Sequence, residues 1–310
     1  MLAWVIILLI LGLVALFKGA DLIVDHASSL GAKLRLSVVG VGLTVVALAA
    51  VLPELTVAVM ASARQAGDLI IGNALGATIF KIGAVLGIAA LFNPISIHKG
   101  TLRHEVPFFF LYAVVIYFLG YDLLLTRQDG LILVLLAAVF VWYSIHESHQ
   151  SFVSKFGSGY VRSHSWPFIF LGLALVVLGA KLFVDSSLVL AAKFGLSEFL
   201  IGILIVAIGT SAPELATMIL ASARHKAEVG VGNIIGSNVL HIFLVLGLAA
   251  LIQPIKIHPD LLIFDFPMVV FFAILVSLML KTSQRLTRLE GAFLVAGYIM
   301  YFVYSIKFWG

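Results

Sequence analysis

The sequence predicts an all-α integral membrane protein in which ten transmembrane helices form two inverted five-helix repeats. This prediction rests on the composition, on the spacing of apolar stretches and on an internal repeat. Of the 310 residues, 62% are hydrophobic and 11% are charged, whereas a soluble domain carries about 25% charged residues. The composition therefore indicates a chain immersed in lipid. Cysteine is absent from the sequence, which excludes disulfides, thiol catalysis and thiolate metal sites.

Ten apolar stretches are long enough to cross the roughly 30 Å of bilayer hydrocarbon as helices. The predicted spans are residues 2–24, 37–61, 68–92, 105–125, 130–146, 166–187, 198–222, 228–252, 261–280 and 290–308. The first stretch lacks the basic n-region and the small-residue cleavage site of a signal peptide, so we expect it to be a permanent helix.

The chain is a duplicated unit, because residue i resembles residue i+160. The segment LGLVALFKGADLIVD matches LGLALVVLGAKLFVD, for example, and 37 of the 88 positions from Leu11 to His98 are identical to their counterparts without a gap. Chance does not produce such a match. We therefore expect a first repeat over residues 1–146, a short cytoplasmic linker over 147–165 and a second repeat over 166–310. The linker is too short for a soluble regulatory domain.

The orientation of the two repeats follows from their helix number and from the loop charges. Five is odd, so the second repeat enters the membrane from the opposite side. Connections 1–2, 3–4, 5–6, 7–8 and 9–10 carry eleven lysines and arginines, against five in the remaining loops and the C-terminus. The positive-inside rule then places both termini outside the cell. Inverted repeats with interrupted helices are typical of secondary transporters, whose site lies near the bilayer midplane.

Two matching stretches, VALAAVLPEL and VAIGTSAPEL, each place a proline and a glutamate inside an apolar span. Pro53 and Pro213 have no backbone N–H, so a carbonyl four residues earlier loses its helical donor. Such a carbonyl is tolerated in a bilayer only where protein, water or an ion satisfies it. Glu54 and Glu214 follow directly, and intramembrane carboxylates indicate a functional site. We expect the carboxylate and carbonyl oxygens to converge at mid-depth, in the kind of oxygen cage that Ca²⁺ prefers.

A second polar stripe follows at helical spacing in each repeat. It comprises Asn73, Ala77 and Lys81 in the first repeat and Asn233, Ser237 and His241 in the second. The two asparagines either contact the ion or tie helices together. Lys81 is either a structural counter-ion to the glutamates or a titrating group, and His241 is either proton-linked or a satisfied core histidine.

The segments GTSAPEL and GNIIGSN resemble the signature segments of the cation/calcium exchanger superfamily, which includes the sodium/calcium exchangers. The resemblance covers nearly the whole chain and implies antiport of Ca²⁺ against Na⁺ or H⁺ by alternating access, without enzymatic activity or a cofactor. It implies that Glu54, Glu214 and Thr210 bind Ca²⁺. It further implies a sodium site made of oxygens from the second repeat, namely those of Ser211, Ser237 and the Ala207 carbonyl.

The first repeat departs from the family pattern. Ala50 and Val51 replace the expected Thr-Ser pair, and Ala77 replaces a serine. One of the two sodium sites outside the centre therefore lacks its hydroxyls, and only the backbone of Ala47, the counterpart of Ala207, remains there. Lys81 and His241 stand where the family often has Asn or Asp.

We expect a secondary-active cation antiporter in the plasma (inner) membrane of a prokaryote. Its partners are then the lipid bilayer and small cations (Ca²⁺, Na⁺ or H⁺). The basic residues are spread along the loops, which argues against nucleic-acid binding, and no GxxxxGK[ST] loop indicates a nucleotide site. The alternatives are a proton-coupled monovalent cation antiporter, a non-transporting relic or sensor, and a cation channel.

Lys81 is predicted to act as a tethered cation. An ammonium near the bilayer centre costs about 2.5–3.5 kcal/mol on insertion scales and needs a partner. Glu54 and Glu214 are the nearest candidates. Two carboxylates with one ammonium carry a net charge of −1, which suits a monovalent ion or proton-linked exchange. The hypothesis is that ion binding and Lys81 deprotonation compete, with His241 as a second titrating group.

Overall fold

A computed structural model describes residues 2–33, 51–96, 106–151, 166–223, 227–283 and 285–309. Within these ranges the chain is helical apart from short turns and four two-residue strands. The helices of the first half are α1 (Leu2–Lys33), α2 (Leu52–Ala63), α3 (Gly67–Phe80), α4 (Gly87–Phe92), α5 (Val106–Leu119) and α6 (Arg127–Ser151). Those of the second half are α7 (Trp166–Phe194), α8 (Glu198–Ile201), α9 (Ile208–Thr210), α10 (Ala212–Ala223), α11 (Ala227–Leu240), α12 (Gly247–Ile252), α13 (Pro259–Ile263), α14 (Asp265–Ser283) and α15 (Arg288–Trp309).

Three six-residue π-helical segments interrupt the described helices, namely π1 (Lys81–Leu86), π2 (Gly202–Ala207) and π3 (His241–Leu246). π1 joins α3 to α4 without a break, π2 joins α8 to α9, and π3 joins α11 to α12. A π turn adds a residue to the helical turn and is frequent at functional sites. Because π1 and π3 begin at Lys81 and His241, they occupy equivalent positions in the two repeats.

Length and composition explain why these segments are membrane helices. Among the described residues, six helical stretches are long and apolar enough to cross a bilayer: Leu2–Leu22, Gly67–Phe92, Phe170–Phe194, Ile234–Ile252, Pro259–Lys281 and Arg288–Trp309. Large apolar side chains such as Trp4, Phe118 and Met300 lie exposed on the outside, where lipid replaces water. Helices satisfy their own backbone groups, which is required in hydrocarbon.

The largest helix–helix contact joins α1 and α7, the equivalent first helices of the two halves. Gly12 lies against Gly179, and Gly19 lies against Gly172. The numbering rises in one helix as it falls in the other, so the two helices run antiparallel. Glycine is required at this contact, because a Cβ on Gly19 would lie 2.6 Å from the Gly172 carbonyl oxygen. Close backbone approach through small residues is the usual way in which helices associate in lipid.

Two pairs of short antiparallel strands, called the strand clasps below, join the two halves of the chain. β1 (Ile95–Ser96) pairs antiparallel with β4 (Arg285–Leu286), and β2 (Leu124–Leu125) pairs antiparallel with β3 (Ile255–Lys256). β1 and β3 are equivalent in the repeat, as are β2 and β4. The two strand clasps are therefore equivalent, and each half contributes to one clasp the strand that the other half contributes to the second.

Hydrogen bonds between the halves are duplicated in the same way. The Ser62 hydroxyl donates to the Ala249 carbonyl at 3.1 Å, and the equivalent Ser222 hydroxyl donates to the Ala89 carbonyl at 3.0 Å. Each hydroxyl thus anchors the end of a glutamate-bearing helix, α2 or α10, to the other half of the chain.

An ion pair fixes α7 against the end of α2. Arg64 follows α2 directly, and its Nε and Nη2 atoms lie 2.7 and 2.9 Å from the two carboxylate oxygens of Asp185 on α7. These hydrogen bonds and the carboxylate charge raise the pKa of Arg64. Exposed ion pairs contribute little to stability, so the two-pronged geometry mainly orients the two helices.

The helix bounds differ from the predicted spans where local packing intervenes. The span 198–222 breaks at Ser211, and the span predicted at 261–280 begins as α13 and restarts as α14 after Phe264. The helix predicted to end at residue 146 continues to Ser151. The first part of the second predicted span and most of the 147–165 linker lie outside the described residues.

The α1–α7 contact leads to a stability prediction. Gly19→Ala places a methyl group against backbone atoms of α7, which cannot move without separating the helices, and overpacking of this kind typically costs about 1–3 kcal/mol. We expect a lower unfolding temperature of the detergent-purified protein. Gly297→Ala on α15 is the matched control, because its Cβ would meet only the Phe272 side chain, at 3.3 Å. Equal melting of the two variants would contradict the close approach of α1 and α7.

Candidate functional site

The two glutamates occupy matching positions at the start of equivalent helices. Glu54 is the third residue of α2 and Glu214 is the third residue of α10, each directly after a proline. The residues that precede the two helices, Val51 (φ −92°, ψ 0°) and Ser211 (φ −93°, ψ 4°), share one backbone conformation. Both carboxylates therefore lie at a helix N-terminus, where the helix dipole favours negative charge.

Lys81 bridges these two carboxylates. Its Nζ atom lies 3.1 Å from Oε1 of Glu54 and 3.1 Å from Oε1 of Glu214. The Lys81 and Glu54 side chains have 0% exposure, and that of Glu214 has 6%. The partners that the sequence predicts for Lys81 are thus the ones observed. A buried carboxylate is strongly destabilising when it is unpaired, so one ammonium serves two helices from opposite halves of the chain.

The start of π1 at Lys81 contributes to this geometry. Lys81 is the last position with α-helical spacing from Asn73 and Ala77, and the wider turn begins there. His241 stands at the same point of the other half, where π3 begins. Both side chains are fully buried, and each π segment packs against a helix of the other half, π1 against α11 and π3 against α3.

His241 has no hydrogen-bond partner for either ring nitrogen within the described part of the chain, and its side chain is fully buried. The sequence left open a proton-linked role and a satisfied core histidine. The second possibility requires a hydrogen-bond partner for the ring, and the described residues do not provide one.

Oxygen atoms suited to a cation line the second half of the site. The Thr210 hydroxyl donates to the Val206 carbonyl at 2.9 Å, and the Ser237 hydroxyl donates to the Ile234 carbonyl at 3.2 Å. Because both protons are directed at backbone carbonyls, the hydroxyl lone pairs remain available to a cation. Ser211 Oγ is buried with no partner among the described residues, and the Ala207 carbonyl accepts the Ser211 N–H at 3.2 Å.

The first half lacks the corresponding hydroxyls. Val51 and Ala77 are both fully buried at the positions equivalent to Ser211 and Ser237, so apolar atoms replace two oxygens there. Ala47 lies outside the described residues, as does the Asn233 side chain. Asn73 is buried, and its Oδ1 finds no partner in the described ranges, which leaves that oxygen available to an ion or a water molecule.

Sequence reasoning missed two buried polar residues beside this stripe. Thr78 and Asn238 are equivalent in the repeat, and both have 0% exposure. The Thr78 hydroxyl and both amide atoms of Asn238 have no hydrogen-bond partner among the residues that the structure covers. A polar residue at the same position of both repeats, inside an apolar span, was the signal that could have found them.

A separate buried pair was also missed. The Tyr301 hydroxyl donates to Oδ1 of Asp265 at 2.9 Å, between α15 and α14. Asp265 is the first residue of α14, where a carboxylate is favoured by the helix dipole. The Asp265–Tyr301 pair lies on other helices than Glu54 and Glu214.

The chain is similar to known membrane proteins along nearly its whole length. A family model described as sodium/calcium exchanger protein matches residues 4–146 and 164–307. The chain is 35% identical over 306 residues to inner membrane protein YrbG of Escherichia coli, covering 95% of this chain and 94% of that protein. It is 29% identical to sodium/calcium exchanger MaX1 of Methanosarcina acetivorans, covering 96% and 97% of the two chains. A structure of the sodium-calcium exchanger NCX_Mj, soaked with Na⁺ and Sr²⁺, superimposes with a TM-score of 0.69 at 28% identity and covers 99% of each chain.

The shared ammonium yields a prediction for stability. Lys81→Met leaves two buried carboxylates without their cation, and breaking a buried ion pair costs about 3–5 kcal/mol. We expect a markedly lower unfolding temperature in buffer that contains a metal chelator, and recovery when Ca²⁺ or Sr²⁺ is added. Lys181→Met on α7 is the control, because Lys181 is exposed. A Lys81→Met protein that melts like the wild type without metal would rule out the shared-cation role.

Proposed function

The chain belongs to the sodium/calcium exchanger protein family, and from this premise we propose that it is a secondary-active antiporter that moves Ca²⁺ or a related cation against Na⁺ or H⁺ by alternating access. The resemblance predicted from the GTSAPEL and GNIIGSN segments is confirmed by the match over both halves. The family consists of membrane transporters and not of enzymes.

One observation carries the proposal: Glu54 and Glu214 come from opposite halves and share a single cation, the Lys81 ammonium. A position that holds one positive charge between two carboxylates also suits a transported cation. Thr210 supplies a further oxygen, and the hydroxyls of Ser211 and Ser237 with the Ala207 carbonyl supply an adjacent set. Carboxylate, hydroxyl and carbonyl oxygens are the ligands that hard cations prefer.

The proposed architecture is ten transmembrane helices in two inverted repeats, residues 1–146 and 166–310, joined by the cytoplasmic linker 147–165, with both termini extracellular. The antiparallel contact of α1 with α7 and the duplicated strand clasps support this arrangement, because each relates one half to the other with the roles exchanged. Two equivalent halves around one site allow access from either membrane face by the same motion. The proposed location is the plasma membrane of a prokaryote, in line with the inner membrane relative.

A monovalent cation is the second candidate substrate, and the Lys81 contacts favour it. With Lys81 charged, the three buried groups carry a net charge of −1, and one monovalent ion balances them. The site would then hold Na⁺ beside the ammonium, on the oxygen-rich side built by the second half.

The glutamates are the first test of the proposal. Glu54→Gln and Glu214→Gln each keep the side-chain shape and remove one carboxylate, so we expect a folded protein that has lost cation uptake. The measurement is uptake of radioactive Ca²⁺ and, separately, of radioactive Na⁺ into proteoliposomes, with Na⁺, H⁺ and Ca²⁺ gradients varied singly. Glu198→Gln is the control, because Glu198 is exposed at the start of α8. Near-normal exchange by Glu214→Gln would refute the site assignment.

The missing hydroxyls of the first half predict a shallow sodium dependence. Val51 and Ala77 remove one set of sodium ligands, so at most one sodium site remains outside the centre, and the Hill coefficient of sodium-coupled exchange should lie below that of a full-complement exchanger. Ser237→Ala should abolish the remaining sodium stimulation, whereas Ala77→Ser should not weaken it. Steep activation by several sodium ions in the wild type would show that other oxygens replace those that are missing.

A further inference from the structure

The Lys81 ammonium lies between the two carboxylates, 3.1 Å from each. It can therefore balance part of their charge in place of a transported ion. We infer that Lys81 replaces the coupling ion on the return stroke, so that the protein also carries out net cation uniport, in which the carrier returns empty. This inference rests on the proposed function, because it assigns a transport mode to the same site.

The charge of the empty site is the physical basis. Glu54 and Glu214 alone would leave two buried negative charges, and a charged group is costly in the bilayer interior. An exchanger with such a site must bind a second cation before its empty form can reorient. Here the ammonium lies 3.1 Å from both carboxylates, so the empty site already contains a cation and carries one negative charge fewer.

Because the ammonium is attached to the chain at the start of π1, this partial charge compensation is available in every transport cycle. A tethered group acts at a high effective concentration that does not depend on the solution. Lysine also has a flexible four-carbon stem and three donors, so its ammonium is able to follow two carboxylates as their helices move. A soluble coupling ion, by contrast, would have to be present on the opposite side of the membrane.

An arriving cation must displace the ammonium, and the structure provides acceptors for it. Thr78 lies three residues before Lys81 and therefore on the same helical face, and its buried hydroxyl has no partner among the described residues. The Asn238 amide oxygen, on the adjacent α11, is buried and similarly without a described partner. These oxygens allow a displaced ammonium to keep hydrogen bonds while the transported ion occupies the carboxylates.

Net uniport of this kind can be measured directly, as cation uptake into vesicles that contain no counter-ion for exchange. In proteoliposomes that contain only choline, with equal pH on both sides and thiocyanate as a permeant anion, a strict Na⁺-coupled exchanger takes up almost no cation. A strict proton-coupled exchanger would take up cation only while making the lumen alkaline, which an entrapped pH dye reports, whereas uniport leaves the luminal pH unchanged. We expect wild-type vesicles to take up radioactive Ca²⁺ or Na⁺ at a rate within about threefold of that measured with the same unlabelled cation inside. Vesicles with Glu54→Gln protein define the leak, which must be subtracted.

Lys81 variants assign this mode to the ammonium. In Lys81→Asn the ratio of uptake into choline vesicles to exchange should fall by at least about tenfold, which corresponds to about 1.4 kcal/mol, because its empty site keeps both uncompensated charges. Lys81→Arg preserves the charge and should retain uptake into choline vesicles. Exchange activity and a monodisperse elution profile establish that each variant is folded.

Each outcome supports or overturns the inference. Wild-type exchange without uptake into choline vesicles would overturn it and leave the proposed function intact, and this result needs no variant. Equal uptake into choline vesicles by Lys81→Asn and the wild type would likewise overturn it. The absence of both exchange and uptake, with Ca²⁺ and with Na⁺, would overturn the proposed function and the inference together.

Discussion

The ion pairs of Lys81 with Glu54 and Glu214 are the interaction on which the rest of the site depends. Two carboxylates buried in a membrane helix bundle repel each other and have lost their hydration, so each requires compensation. The helix N-termini created by Pro53 and Pro213 provide part of it, and the ammonium provides the rest. The same contacts hold α2 and α10 against π1. The charges of the candidate site therefore also link the two halves of the chain.

The duplication accounts for the equivalent helix and strand contacts of the two halves, whereas sequence differences between the halves account for the side chains that line the candidate site. The strand clasps, the serine–carbonyl bonds of Ser62 and Ser222 and the antiparallel α1–α7 contact all relate one half to the other. The site lining is not conserved between the halves in the same way. The first half has an ammonium and two apolar side chains where the second half has His241 and two serine hydroxyls. A nearly symmetric scaffold thus encloses the proposed cation site, whose oxygen atoms lie mainly on one side.

Much of this was predictable from the sequence, for physical reasons. Apolar stretches of membrane-spanning length predict helices because lipid requires internally satisfied backbones. The partners of Lys81 were predictable because a charge inside an apolar span must find an opposite charge, and the two glutamates were the nearest candidates. The π segments, the restart after Phe264 and the Asp265–Tyr301 pair were not, since they depend on how neighbouring helices pack. Thr78 and Asn238 were missed because the polar stripe was read at a spacing of four residues, whereas each of them lies three residues before Lys81 or His241.

A structure with bound strontium tests the central claim most directly, because Sr²⁺ scatters anomalously and Lys81 is visible in the same map. The account predicts an anomalous peak between Glu54 and Glu214, with the Lys81 ammonium displaced from both carboxylates toward Thr78 or Asn238. Strontium bound away from both glutamates, with the two 3.1 Å ion pairs of Lys81 intact, would contradict it.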